Sequence, residues 1–207
     1  MTKIEFLIVL FAYFLGAIPF GYLIAKMKSG EDIRKKGSGN IGATNVLRTQ
    51  GAFYGIVTLF LDAIKAALPV LLARHFSDIT WLPALAGGTA VIGHCYPVYI
   101  GFKGGKGAAS GFGAFLFIAP LVTIIACTSF IAVMVLFGYV SVGSMVGSFV
   151  FVFVLWLFYF FKKSYDIYTC LIATFLATLL VYRHRSNIRN LFERKEKRIW
   201  EKDEKES

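Results

Sequence analysis

The sequence predicts an all-α integral membrane protein: a bundle of about seven transmembrane helices, N-terminus outside, C-terminus cytoplasmic. Three observations carry that reading. Of the 207 residues, 57% are hydrophobic and the mean hydropathy is +0.67, far from the average of soluble domains. Apolar runs begin at Ile4 and recur to Tyr182, several of them reaching the roughly 20 residues that cross a bilayer. The basic residues gather beside those runs rather than in a separate soluble unit, so the positive-inside rule can orient them.

The first run, Ile4 to Ala25, lacks a strongly basic start and a small-residue cleavage site and reads as a retained span. Lys26, Lys28, Arg34, Lys35, Lys36 and Arg48 follow it around a glycine-rich loop, which places that loop inside and the N-terminus outside. Ala52 to Leu72 then goes out, a turn around "RHFSD" lies outside, and Trp81 to Ile100 returns, bringing "GFKGGKG" (101–107) inside. Arg183, Arg185, Arg189, Arg194, Lys195, Lys197 and Arg198 mark the end of the chain as cytoplasmic. An even number of crossings must therefore separate Ala108 from Tyr182. Four are read: Ala108 to Ile118, Leu121 to Phe137 after Pro120, Val142 to Phe161, and Ile167 to Tyr182, which leaves Lys162 and Lys163 outside. A five-span count would need the segments up to Phe137 merged and a further crossing lost. Residues 1–192 form one polytopic domain in this reading, and residues 193–207 form a charged cytoplasmic tail expected to be a solvated helix.

Net charge +10 suggests nucleic acid only where a soluble, aromatic-interleaved domain carries it, and none does. Cys95, Cys127 and Cys170 are scattered, so no disulfide is expected. Asp62 and Lys65, inside the second span, are expected to neutralise each other toward the bundle interior. His94 is expected to satisfy a helix end, and His75 to lie exposed in a loop.

Parity brings "GSGNIGATNVLR", "GFKGGKG" and "YRHRSNI" to one face. Gly37, Gly39 and Gly42 match the GxGxxG pattern, and backbone N–H groups at glycines converge on anions. Ser38 and Thr44 add hydroxyls, Asn40 and Asn45 add amides, and Arg48, Lys103 and Lys106 add cations. His184 and Asn187, three apart, share a face if the last helix runs through them. Two anionic groups can be held together by such a set.

Several chemistries lack their parts. A Ser-His-Asp site has no third member, with only Glu31 and Asp32 near Ser38. The carboxylates are too dispersed for a magnesium cluster, so no metal and no other cofactor is expected. Thr80, Tyr99 and Arg189 stand five positions after His75, His94 and His184, so no HxxxxD pair exists. What remains is chemistry on an already activated substrate, in which the protein positions anions and neutralises charge. A transporter of phosphorylated metabolites and a lipid-binding scaffold are the competing classes.

"GSGNIGATNVLR", "GHCYPVYIGFKGGKG" and "YRHRSNI", in this order and at this spacing among apolar spans, resemble the PlsY family, the bacterial acyl-phosphate:glycerol-3-phosphate acyltransferases, over the chain up to about Phe192. The resemblance implies a seven-helix inner-membrane enzyme with its active site at the cytoplasmic face. It implies acyl transfer from acyl phosphate to the 1-hydroxyl of glycerol 3-phosphate, giving lysophosphatidate and phosphate, among membrane lipid and with possible contact to the enzyme that forms acyl phosphate. It assigns Ser38, His184 and Asn187 to catalysis. It assigns Gly39, Asn40, Gly42, Thr44, Asn45, Arg48, Lys106 and Ser144 (in "YVSVGS") to substrate binding. In the resulting expectation the first-loop amides hold the donor phosphate, while Lys106 and Arg48 hold that of glycerol 3-phosphate. His184 is one candidate proton acceptor and an oxygen of the acyl phosphate is another. Ser38 as a covalent nucleophile is less attractive, because an activated donor gains little from an acyl-enzyme. The charged tail and Cys95 are departures expected to touch nothing essential, so tail truncation is expected to leave acyl transfer largely intact.

Overall fold

Residues 1–162 and 164–201 are described by the computed structural model; the expected outside position of Lys163 and the last part of the tail, 202–207, lie outside the described residues. Helices occupy each of the seven predicted runs. The first run is split. α1 (Lys3–Gly16) starts on a capping box, Thr2 Oγ1 accepting from the Glu5 amide and Glu5 accepting from the Thr2 amide at 2.6 Å. It stops before Pro19, and α2 (Phe20–Ser29) resumes and ends at Gly30. The short α3 (Ala43–Gln50) follows the glycine loop and leads directly into α4 (Ala52–Phe76), whose last turn carries the exposed His75 expected in a loop.

α5 covers only Leu82–Cys95 of the run expected to continue to Ile100. Pro97 is the reason: it holds Tyr96 out of the helical region (φ −131°), and a single tight turn, Val98–Ile100, follows. α6 (Ala108–Ile118) and α7 (Pro120–Phe137) divide at Ala119, with Pro120 opening the new helix as expected. α8 (Val140–Leu157) continues through a π-helical turn to Lys162. α9 (Ile167–Arg183), capped by the Asp166 carboxylate, bends by 49° into α10 (Arg185–Phe192). Among the described residues four helical stretches are long and apolar enough to cross a membrane, or five with the bent pair. α5 and α6, at 14 and 11 residues, are shorter.

The bundle is built around small residues. Ala12, Ala66, Ala86, Ala90, Ala114 and Ala173 are buried, while Phe6, Leu7, Phe53, Leu136 and Phe149 point outward. In lipid, large apolar side chains gain nothing by turning inward, and small ones let backbones close up. At Gly113 of α6 a Cβ would collide with the Ala63 backbone of α4, and at Gly93 of α5 with the backbone of α1 at Tyr13. Such contacts lock α1, α4, α5 and α6 together, with α7 and α8 packed as a pair beside them and α9 against α5 and α8.

Candidate active site

The loop between α2 and α3 is held by its own side chains. Asn45 is 2% exposed; its Oδ1 accepts from the Ser38 amide at 2.9 Å, and its Nδ2 donates to the carbonyls of Asn40 (2.8 Å) and Lys36 (3.1 Å). Gly37 (φ +55°) makes this possible, since a Cβ there would strike Asn45 Oδ1. The Gly39 amide donates to Lys36 O and the Gly42 amide to Asn40 Oδ1. Asn45 thus staples the loop, and the amides of Gly39 and Gly42 bond within it. The open donors lie one step on. Ala43 and Thr44 at the first turn of α3 donate no amide hydrogen bond to the chain among the described residues. Beside them stand the Ser38 and Thr44 hydroxyls. A helix N-terminus of this kind favours negative charge.

The second loop is clamped from three sides. Arg34 folds onto the Asp32 carboxylate (2.7 Å) and donates to Ile100 O at 3.1 Å, which joins the first loop to the second. Those guanidinium hydrogen bonds hold the Asp32 carboxyl down at about 2, so it is no proton acceptor. Arg183, at the end of α9, donates to Gly104 O (2.7 Å) and Gly105 O (3.0 Å). Lys106 donates to Asn187 Oδ1.

His184 sits at the break between α9 and α10 rather than inside one continuous helix, with Asn187 in the first turn of α10. Both nevertheless face the same cavity. His184 is 3% exposed, and its Nδ1 lies 2.8 Å from Leu180 O, an acceptor only. Nδ1 therefore carries the proton, and Nε2 keeps its lone pair. Burial, then the Lys106 cation, pushes His184 down to about 4. Burial also pushes Lys106 down to about 8, with Glu196 opposing and Arg48 reinforcing that shift.

The described part of the tail, residues 193–201, is not a helix. After Arg194 (φ +55°) the chain runs back over the site: Glu196 Oε1 accepts from Asn187 Nδ2 (2.7 Å) and from Ser141 Oγ (2.6 Å), and Arg48 donates to Lys197 O at 2.9 Å. The expectation that the tail touches nothing essential is overturned, since Glu196 orients the amide that receives Lys106. Glu196 and Arg183 are the residues sequence reasoning missed. Arg183 stood inside "YRHRSNI" but was read only as a topological charge, while Glu196 carries no local signal in an alternating basic and acidic run.

Two cavities meet here. One, ≈ 1030 Å³, is polar and lined by cations including Arg34, Arg48, Lys103, Lys106, Arg183 and Arg185, with Asp32 and Glu196 the acids. The other, ≈ 580 Å³, is apolar and runs between α4, α6, α7, α8 and α9, past Phe60, Phe112, Phe115, Phe130 and Phe151. Ser38, Asn40, Arg48, Lys106, Asn187 and Glu196 line both. Gly42, Thr44, Asn45, Ser144 and His184 line the apolar cavity at its polar end, and Gly39 lines the polar one. Ser144 is 8% exposed and gives its hydroxyl to Val140 O, leaving its oxygen as an acceptor only. Arg48 Nε is buried with no hydrogen-bond partner among the described residues. Among the described residues no group of three or more His, Cys, Asp or Glu gathers as metal ligands. The donors present suit phosphate, and the apolar cavity suits a hydrocarbon chain.

Comparison with known proteins gives the same direction. The family model described as glycerol-3-phosphate acyltransferase matches residues 6–194. Glycerol-3-phosphate acyltransferase of Aquifex aeolicus is 39% identical over 196 residues, covering 93% of this chain and 97% of its own. That of Desulfotalea psychrophila is 43% identical over 202 residues, covering 96% and 99%. The crystal structure of PlsY (YgiH), an integral membrane glycerol 3-phosphate acyltransferase in its glycerol 3-phosphate form, superposes with a TM-score of 0.87 at 37% identity over 94% of each chain. A lysophosphatidic acid form of PlsY gives 0.83 at 36% identity, again over 94% of each chain.

Proposed function

The chain belongs to the glycerol-3-phosphate acyltransferase family, and from that premise we propose that it moves a fatty acyl group from acyl phosphate to the 1-hydroxyl of glycerol 3-phosphate. The products are lysophosphatidic acid and inorganic phosphate, and the step is an early one in phospholipid synthesis. One observation carries the reading: a cation-lined chamber and an apolar cavity share a wall made of Ser38, Asn40, Arg48, Lys106, Asn187 and Glu196. A substrate that is a chain at one end and a phosphate at the other fits across that wall, with its reacting carbonyl at the junction.

In this reading the acyl chain lies along α6, α7, α8 and α9, and the donor phosphate sits on the Ala43 and Thr44 amides with the Ser38 and Thr44 hydroxyls. Lys106 and Arg48 hold the phosphate of glycerol 3-phosphate. The Nε2 lone pair of His184 accepts a hydrogen bond from the attacking hydroxyl, and Asn187 fixes the cation beside it. The hydroxyl oxygen bonds to the acyl carbon, the acyl carbon–oxygen bond to phosphate breaks, and the hydroxyl proton leaves on the phosphate. A histidine held near 4 is too weak a base to keep that proton at neutral pH. Stabilising charge on the departing phosphate supplies the acceleration. Asn45 supports this site as the staple of its loop, and Ser144 borders the donor.

The positive-inside argument puts this face in the cytoplasm and the N-terminus outside, in the bacterial inner membrane, with seven crossings in which α5 and α6 are short. Lateral access from the bilayer to the apolar cavity suits a lipid-borne donor. The deciding experiment offers purified protein in lipid radiolabelled glycerol 3-phosphate with acyl phosphate, acyl-CoA or acyl carrier protein in parallel. Lysophosphatidic acid from acyl phosphate alone is expected. Turnover only with a thioester would remove the donor assignment. No product with any donor, while label crossed sealed vesicles, would replace the enzyme with a transporter.

A further inference from the structure

Three ionisable side chains lie buried outside the mechanism above. Asp62 and Lys65 of α4 and His94 of α5 are 1%, 2% and 4% exposed. Lys65 Nζ is 2.7 Å from Asp62 Oδ1 and 3.0 Å from His94 Nδ1, and it donates to Ile18 O, at the break between α1 and α2, at 2.8 Å. Asp62 Oδ1 is also 3.5 Å from His94 Nδ1. The sequence anticipated the Asp62–Lys65 pair but not the histidine, which was read as a helix cap. A buried ion pair inside a bilayer is costly, and well-packed apolar residues serve stability as well or better. Its worth lies in what it orients.

His94 is the link. With the Lys65 ammonium donating to Nδ1, that nitrogen is an acceptor and the ring proton belongs on Nε2. The Nε2 edge packs directly on Gly105, where any Cβ would collide with the imidazole, while the His94 carbonyl accepts from the Gly105 amide at 3.0 Å. Gly104 is equally confined, because a Cβ there would strike the His94 carbonyl and Pro97. Arg183 holds the two glycine carbonyls as well. The dipeptide before Lys106 is thus held by a guanidinium and by an imidazole that is itself fixed by a salt bridge.

We propose that Asp62, Lys65 and His94 are positioning residues for the acceptor substrate: they fix the His94 ring, which fixes the Gly104–Gly105 backbone, which aims Lys106 at the phosphate of glycerol 3-phosphate. This deepens the reading above and rests on it. Asp62 and His94 also border the apolar cavity, but the relay acts through the Gly104–Gly105 backbone, not by contact with the acceptor. Its contacts are with Gly104 and Gly105 of the second loop, whereas the donor's phosphate is assigned to α3 and the first loop in the reading above.

The test is calorimetric binding of glycerol 3-phosphate, KM and kcat for each substrate, and thermal melting. The variants are His94→Ala, His94→Asn and the paired Asp62→Asn/Lys65→Met, which leaves no lone buried charge. Each is made alone and with Lys106→Ala. The expected result is at least about tenfold weaker glycerol 3-phosphate binding, KM for acyl phosphate within about threefold of wild type, and no added loss in the Lys106→Ala background. His94→Asn keeps an acceptor for Lys65 but loses the ring face, so it should melt closer to wild type than His94→Ala while binding as poorly. Wild-type affinity in the variants, losses that add to Lys106→Ala, or recovery of binding in step with melting in His94→Asn would each overturn the relay. Wild type is measured first: if it neither binds nor acylates glycerol 3-phosphate, the functional reading fails and the relay falls with it.

Discussion

Lys106→Met removes one charge and leaves most of the stem that packs beside it. The ammonium is partly buried, donates to Asn187 Oδ1, and sits on backbone clamped by Arg183. Removing one member of a buried, hydrogen-bonded charge pair costs about 2–5 kcal/mol. At about 1.4 kcal/mol per tenfold, kcat/KM for glycerol 3-phosphate should fall by about 30-fold to several-thousand-fold, with KM for acyl phosphate moving far less. The assay is initial rates at saturating acyl phosphate with glycerol 3-phosphate varied. The same residue sets a pH signature. Lys106 binds phosphate only when protonated, and its value is lowered to about 8. Wild-type kcat/KM should therefore be level below that pH and decline above it, approaching tenfold per unit. Bound phosphate favours the charged form, so kcat should decline at higher pH than kcat/KM does. In Lys106→Met the alkaline limb should vanish. A loss confined to acyl phosphate, or an alkaline limb that survives the substitution, would refute the assignment of Lys106 to the acceptor.

Asn45→Ala strands the Ser38 amide and two loop carbonyls; at about 1–3 kcal/mol for a buried unsatisfied group, a lowered melting temperature and poorer KM for both substrates are expected, and an unchanged melt with only one KM affected would contradict the staple. Glu196→Ala, or deletion of residues 193–207, should lower kcat at least about tenfold, because one lost charge-assisted hydrogen bond of about 1.5–3 kcal/mol releases Asn187; full activity after deletion would return the tail to a solvated appendage. Gly113→Val drives a side chain into the Ala63 backbone and should cost about 1–3 kcal/mol of stability, read as a lower melting temperature with KM values preserved in the folded fraction. For kcat, no ascending limb is expected between pH 5.5 and 7, since His184 is neutral down to about 4; a limb near 6.5 would make it a conventional general base.

Much of the fold was legible because a membrane enforces it. Apolar run length and flanking lysines and arginines are one-dimensional quantities, and Pro120 marks a helix start as propensity says it should. Pro97 was equally visible but was carried inside a span, where its effect on Tyr96 ended α5 early. The expected site positions all line one of two joined cavities. Their division of labour was not legible. Whether an asparagine amide faces a ligand or its own loop depends on where residues 36 to 40 turn, which composition does not encode. Both asparagines bond within their own loop, Asn45 Oδ1 to the Ser38 amide and Asn40 Oδ1 to the Gly42 amide. Glu196 was invisible for a different reason: its partners Asn187 and Ser141 are 9 and 55 residues away, and a lone acid among basic residues looks the same whether solvated or docked.

The protonation pattern joins these parts into one mechanism. Burial disfavours charge on both Lys106 and His184, yet with opposite consequences at neutral pH. Lowered to about 8, Lys106 remains cationic and able to hold a phosphate. Lowered to about 4, His184 is neutral and, with Nδ1 committed to Leu180 O, presents a lone pair to a hydroxyl. Asp32 is tied to Arg34, and Glu196 to Asn187 and Ser141, so neither carboxylate is free to act as a base. Each side-chain proton acceptor bordering the junction is thus either weak or already engaged. In the proposed reaction the hydroxyl proton therefore goes to an oxygen of the departing phosphate. On the proposed reading an acyl-phosphate donor brings that oxygen into the site with it, so no side chain has to keep the proton.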